Sequence, residues 1–245
     1  MAGHSKWANI KHRKERSDKK KGKIYSRAMK EIICAIRQAG PDPKTNATLR
    51  IAIDKAKNVN VPNEVIDRNI KKAANPDQQD FVEMSYELYG YGGVGIIADV
   101  MTDNKNRISS DMRIATNKCG GNVATPGSVS YNFERKGVIR VAKGSAEEGD
   151  LFLLVSDKGA DDMAVEEDAY VVYTSIEAFS TVKEAIEQAG GVCEEAELAM
   201  VPKVWVEVNE EDAENNITLI EWLENLDDVD AVYHNMKLPD EKLSQ

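Results

Sequence analysis

Met84–Val100, MSYELYGYGGVGIIADV, admits two readings, and the choice between them decides the fold. Gly90-Tyr91-Gly92-Gly93-Val94-Gly95 fits G-x-G-x-x-G, the phosphate loop of dinucleotide-binding folds, letter for letter. Such a loop must open a helix whose first amides meet the pyrophosphate. Here Ile96-Ile97-Ala98-Asp99-Val100 follows instead, a strand. Met84, Tyr86 and Leu88 alternate with Ser85, Glu87 and Tyr89 before the glycines, and Val94, Ile96, Ala98 and Val100 repeat the alternation after them. A period of two on both sides predicts a hairpin closed by a tight glycine turn.

Downstream, Asp103 or Asn104 caps a helix whose face is Ile108, Met112, Ala115 and Cys119, ended by Gly120-Gly121. Val129, Tyr131 and Phe133, a turn at Arg135-Lys136-Gly137, and Val138 to Val141 predict a second hairpin. Helical and extended patterns then alternate: a helix around Leu151, Leu154 and Val155, a strand Tyr170 to Tyr173, a helix from Phe179 to Ala189, extended chain Val192 to Val201, and a strand Val204 to Val208. Asn209 caps a last long helix with Ile217, Ile220, Leu223 and Leu226 on its face, and Val229, Ala231 and Tyr233 form a closing strand. Helices interleaved with short strands predict α+β sandwiches, with helices on one face of each sheet. The elements beyond residue 80 are too many for one small sandwich and fit two.

Upstream, Ile24, Ala28, Ile32 and Ile36 recur every four residues and predict a core-facing helix ended by Gly40-Pro41. A second helix runs from about Asn46 and a third from Pro62, so the first third reads as a small bundle. Its outer faces are expected to carry Arg27, Lys30, Lys55, Lys57, Arg68, Lys71 and Lys72. Asn75-Pro76-Asp77 marks a boundary by its turn chemistry. Before the bundle, Lys11 to Lys23 contains no aliphatic or aromatic residue and is expected to be mobile when free.

Charge divides the chain at that same boundary. Residues 1–30 hold eleven Lys or Arg against Glu15 and Asp18, a net +9, and residues 1–75 carry +12. The whole chain is −10, so residues 76–245 carry −22. A phosphate polymer is drawn to the first third and repelled by the rest. Lys6, Trp7, Lys11, His12, Arg13, Lys14, Arg16, Lys19, Lys20, Lys21, Lys23 and Arg27 are therefore the candidate nucleic-acid contacts. Asn104, Lys105, Asn106 and Arg107 offer amides and cations at a helix N-terminus, where a secondary phosphate site and ordinary capping both fit.

The residues speak against an enzyme. His4, His12 and His234 are the only histidines, and no Ser-His-Asp arrangement, H-E-x-x-H, P-loop or cysteine cluster is present. Cys34, Cys119 and Cys193 stand far apart and read as small buried hydrophobes. Asp161, Asp162, Glu166, Glu167 and Asp168 lack calcium-loop spacing and read as a solvated acidic face. No cofactor or metal is expected. With no apolar run of membrane length and no apolar segment after the first charges, the expected compartment is the cytosol.

The opening Ala2-Gly3-His4-Ser5-Lys6-Trp7-Ala8-Asn9-Ile10-Lys11-His12-Arg13-Lys14, with Lys21-Gly22-Lys23, closely resembles that of the YebC family. Further matches are Tyr86-Glu87, Tyr89-Gly90, Gly92-Gly93, Asp103 to Arg107, Cys119-Gly120-Gly121, Gly127-Ser128-Val129, Phe133, Lys136-Gly137, Val201-Pro202-Lys203 and Tyr233-His234-Asn235. Val123-Ala124 and Val204-Trp205 depart from the family's usual residues. The resemblance implies three domains: a basic helical domain (1–75), an α+β domain (76–129 plus 204–245), and an α+β domain (130–203) inserted in it, both α+β domains being expected as ferredoxin-like sandwiches. That family includes bacterial proteins described as transcriptional regulators and the mitochondrial translational activator of cytochrome oxidase. It implies a DNA-binding regulator that uses its acidic domains to meet a protein partner, or alternatively a ribosome-associated translation factor bound to rRNA and tRNA.

Overall fold

Ile32, Leu49 and Ala56, all fully buried, are the centre of the first structural unit of the computed structural model, which describes residues 17–73 and 81–237. Helix α1 (Ser17–Ala39) packs on α2 (Ala47–Asn58) and α3 (Asn63–Ala73) through Ala28, Ile32, Ile33, Ile36, Ala52 and Ile66. The buried Asn46 fixes the α1–α2 corner, its Oδ1 accepting the Leu49 amide at 2.9 Å while its Nδ2 donates to the Ala35 and Gly40 carbonyls. Gly40, at φ 86°, supplies the left-handed residue that ends α1. Tyr25 belongs to this core too, its hydroxyl donating to the Asn60 carbonyl at 2.7 Å. The Asn75-Pro76-Asp77 boundary lies outside the described residues.

One expectation fails here. The charged run is not wholly without structure, because α1 already begins at Ser17. Lys and Arg are good helix formers, and once residues 28–36 are docked each further N-terminal turn extends an existing helix and needs no apolar face of its own.

The glycine turn closes a hairpin, as its period requires. Strands β1 (Val82–Tyr89) and β2 (Gly95–Thr102) pair antiparallel from Val82↔Thr102 to Tyr89↔Gly95, and Tyr91–Gly93 form a single tight turn with positive φ at Gly92 and Gly93. Helix α4 (Lys105–Cys119) and strand β3 (Asn122–Val123) follow. Gly90 must lack a side chain, since a Cβ there would overlap the amide oxygen of Asn216. That fully buried amide accepts the Tyr91 N–H at 2.8 Å and donates to the Tyr91 carbonyl at 3.1 Å, so it pins the turn from below.

The second sheet arises wholly within residues 133–202. Its elements are β4 (Phe133–Ala142), α5 (Glu148–Asp157), β5 (Ala160–Val165), β6 (Ala169–Thr174), α6 (Phe179–Gln188) and β7 (Cys193–Pro202). The strand order β5-β6-β4-β7, antiparallel throughout, is the split βαββαβ arrangement. Ile139, Val141, Leu151, Val155, Val172, Val182 and Ile186 fill the space beneath α5 and α6. The expected second hairpin does not exist: Arg135-Lys136-Gly137 lies inside β4, which pairs with β7 from Phe133↔Pro202 onward. Gly137 signals a close approach and not a turn. A Cβ there would collide with Thr174 Oγ1 and the Phe179 ring, whose own Cβ would stand 2.9 Å away.

The chain then returns to the first sheet. Between Val204 and Val208 only β8 (Val206–Glu207) is paired, in parallel with β10 (Met236–Lys237), in place of the longer strand expected. Asn209 caps α7 (Glu210–Glu224) through the Asp212 amide at 2.8 Å, and β9 (Val229–His234) completes the order β3-β1-β2-β9. Leu88, Ile96, Val100, Ile108, Met112, Leu219 and Leu223 form the core beneath α4 and α7. The opposite faces of the two sheets meet through Ile97, Tyr233, Val129, Val138, Val171, Tyr173 and Ala199. Helices thus cover one face of each sheet, and the bare faces share a core.

Candidate nucleic-acid interface

Lys19, Lys20, Lys21 and Lys23 all lie in α1, on the part that precedes its core-facing residues. Lys19, Lys23 and Arg27 recur every four residues in the sequence of α1. Arg27 is half exposed and sits 3.5 Å from Glu31, which also meets Lys55 at 3.3 Å. Lys57, Arg68 and Lys71 are exposed, and extend positive charge over α2 and α3. Lys6, Trp7, Lys11, His12, Arg13, Lys14 and Arg16 lie outside the described residues.

Lys30 departs from the expected surface pattern. Its side chain is only 11% exposed, and its ammonium donates to the Met101 carbonyl at 2.9 Å and the Asp227 carbonyl at 3.0 Å, with Asp228 Oδ1 at 3.8 Å and the Phe81 ring centroid at 5.8 Å. It lies three residues before the buried Ile33 and three after the half-exposed Arg27, at the border between the packed and the solvent side of α1.

Asp228, on the turn between α7 and β9, gathers the same neighbourhood. Its carboxylate accepts from Arg107 Nε at 3.0 Å and Nη2 at 2.7 Å, and from Thr102 Oγ1 at 2.9 Å. Asp228 first and Asp103 second hold the Arg107 guanidinium above its ordinary pKa. At the start of α4, Asn104 Oδ1 accepts the amides of Asn106 and Arg107, at 3.1 and 3.0 Å. Of the groups considered for a secondary phosphate site, the Asn106 and Arg107 amides are engaged in capping and the Arg107 guanidinium on Asp228, whereas Lys105 is exposed. Neither Lys30 nor Asp228 stood out in the sequence. The only signal was an Asp227-Asp228 turn three residues after Leu223-Glu224-Asn225 had closed a helix.

The acidic group at 161–168 is also differently employed. Arg140, 2% exposed in its side chain, points into Glu166, Asp168 and Glu194, so two of the five acids embrace a buried cation of the chain itself. Burial would favour loss of the Arg140 proton, but Asp168 and Glu166 outweigh it and hold the guanidinium above its ordinary pKa. Asp161 meets Lys136 at 3.2 Å. The three cysteines are half-buried and none is in a disulfide.

A second carboxylate organises the loop that joins the two sheets. Glu87 is buried, its Oε1 accepting the Gly127 amide at 2.7 Å and its Oε2 the Val129 and Ser130 amides at 2.6 and 2.9 Å. Burial alone would raise its pKa. The amides of Gly127, Ser130 and Val129 prevail, and hold it below the ordinary glutamate value.

His234 is buried at the end of β9, with Nδ1 accepting the Met236 amide at 3.2 Å, a structural position. Among the described residues no group of three or more His, Cys, Asp or Glu is placed to hold a metal ion, and no helix is long and apolar enough to cross a membrane. A groove of about 510 Å³ between α2 and α3 is lined by Ile53, Ile66 and Ile70 with Arg50, Lys57, Asp54 and Asp67, charges of both signs that do not favour a polyanion.

Comparison with known proteins finds family matches over two parts of the chain. Residues 5–76 match the TACO1/YebC protein N-terminal domain, and residues 81–236 match the TACO1/YebC second and third domain. The chain belongs to the TACO1/YebC family. A "Probable transcriptional regulatory protein" of Protochlamydia amoebophila is 60% identical to it over 98% of both chains. One of Chlamydia muridarum is 55% identical over 96% of this chain and all of its own. The crystal structure of a conserved hypothetical protein from Aquifex aeolicus superposes with a TM-score of 0.82 at 41% identity, covering 96% of this chain and 98% of that one. As a TACO1/YebC protein, the chain places its whole basic surplus within the matched N-terminal domain.

Proposed function

We infer that this TACO1/YebC protein is a nucleic-acid-binding regulatory protein that grips duplex DNA by its phosphates and acts in transcriptional control. The observation that carries this reading is α1 itself, a single helix whose second half is fixed in an apolar core while the sequence of its first half includes Lys19, Lys20, Lys21 and Lys23. The net +12 of residues 1–75 against the −22 of the remainder orients a polyanion to that end. The relatives' names as transcriptional regulatory proteins point to DNA as the polyanion.

In this reading residues 1–75 form the binding domain, with Lys6, Trp7, Lys11, His12, Arg13, Lys14 and Arg16 of the arm adding contacts. Residues 76–129 with 204–245, and the inserted 130–203, are the acidic domains available to a protein partner. The contacts are electrostatic and weakly sequence-selective, since lysines on a phosphate backbone position a protein without reading base edges. Neutralising about five phosphates makes log affinity fall with log salt at a slope of about −4 to −5. Fluorescence anisotropy of a labelled duplex across a salt series tests it, and a flat response contradicts it.

A further inference from the structure

Lys30 is costly to bury, since an ammonium removed from water must recover its hydration from fixed partners. Here the partners come from the first sheet: the Met101 carbonyl on β2, the Asp227 carbonyl, and the Asp228 carboxylate, which Arg107 and Thr102 hold in place. The contact therefore clasps α1 to a point where β2, α4 and the α7–β9 turn converge. Lys19 lies eleven residues along the same helix from Lys30, about 16 Å at 1.5 Å per residue. A pivot of about 20° at the clasp would carry Lys19 about 6 Å sideways, more than the ~3.4 Å axial step between phosphates of one strand. The orientation of α1 thus decides how its lysine-bearing half projects from the acidic remainder of the chain, which carries −22.

Resting on the reading of the basic end as a nucleic-acid interface, we propose that Lys30 and Asp228 are positioning residues for it: they touch no nucleic acid and hold α1 at an angle at which a polyanion can run along its basic half without meeting the acidic sheets. Preorganisation of this kind raises affinity without adding a contact. It also separates Lys30 from its neighbours in α1 by a measurable signature. A lysine that neutralises a phosphate contributes about 0.9 to the salt slope, whereas a positioning lysine contributes affinity and no slope.

The test titrates a labelled duplex with the full-length wild type, Lys30→Met, Asp228→Asn and Lys23→Met across a salt series, with small-angle scattering of each protein alone. Lys30→Met and Asp228→Asn are expected to weaken binding about tenfold with an unchanged slope and to increase the radius of gyration. Lys23→Met is expected to lower the slope by about 0.9 and leave the scattering as in the wild type. Asp228→Asn removes the charge while keeping the side-chain volume, so it carries the test if Lys30→Met does not fold. Wild-type affinity in both clasp variants overturns the proposal, and so does a slope reduced by about 0.9 in Lys30→Met, which would make Lys30 a phosphate contact. A wild type that does not bind duplex removes the underlying reading and the proposal together, whereas binding by the wild type with unaffected clasp variants removes the proposal alone.

Discussion

The Glu87 carboxylate accepts the Val129 amide at 2.6 Å across 42 residues of sequence, and through it the hairpin of the first sheet fixes the loop that leads into the second. Gly127 and Ser130 donate to the same carboxylate, so three amides that would otherwise be desolvated without partners are satisfied at once. Replacing Glu87 by Gln turns an N–H₂ toward these donors. Glu87→Gln is expected to cost about 2 kcal/mol in urea-induced unfolding.

The same group gives a pH dependence. Its folded-state pKa lies below the ordinary glutamate value, so the unfolded chain takes up the proton first as pH falls. The contribution is complete above the unfolded pKa, about 4.3, and is lost as pH drops below that through the folded value. The stability gap between wild type and Glu87→Gln should therefore narrow on acidification through that window and stay constant above about pH 6. A gap that widens toward low pH would contradict the sign.

Arg140 is the counter-ion of Glu166 inside the second sheet, with Asp168 and Glu194 completing its partners. Arg140→Met leaves Glu166 buried without its cation, and breaking such a pair costs about 3–5 kcal/mol. Adding Glu166→Gln should recover part of that loss in a double-mutant cycle, whereas strictly additive single effects would show that the two groups do not interact.

Gly137→Ala puts a methyl against Thr174 Oγ1 and the Phe179 ring. Overpacking of this kind costs about 1–3 kcal/mol, seen as a lowered urea midpoint with an unchanged m-value. A neutral or stabilising effect would mean that α6 shifts freely on the sheet.

The elements that the sequence made legible are those whose apolar period is long or whose turn chemistry is unambiguous. The β1–β2 hairpin is readable because the period is two on both sides of the glycines, and α1 because isoleucines recur over three turns. Gly137 misled because a glycine demanded by a neighbouring helix has the same letter as one demanded by a turn. Edge strand β5 escaped because Asp161 and Asp162 look solvated until the pairing of Ala160 and Asp162 with β6 is known. The candidate site was legible as charge and not as geometry. Lys30 reads like Arg27 in composition, and only the packing of α1 on the sheet distinguishes a clasp from a surface cation.

Deleting residues 1–16 removes Lys6, Lys11, Arg13, Lys14 and Arg16 and keeps every residue of α1. Duplex affinity is expected to fall about a hundredfold or more at low salt, with a shallower salt slope, while thermal unfolding stays cooperative. Loss of cooperative melting in the truncated protein would show that the arm and the fold are not separable.

The most direct measurement of the central claim is a competition at near-physiological salt: labelled duplex bound to the full-length protein, challenged with unlabelled DNA, rRNA fragments and intact ribosomes matched in phosphate. DNA as the target predicts that ribosomes displace the duplex no better per phosphate than unlabelled DNA does. Displacement by ribosomes at far lower phosphate concentration would contradict it and make duplex binding an electrostatic by-product of a ribosome-directed protein.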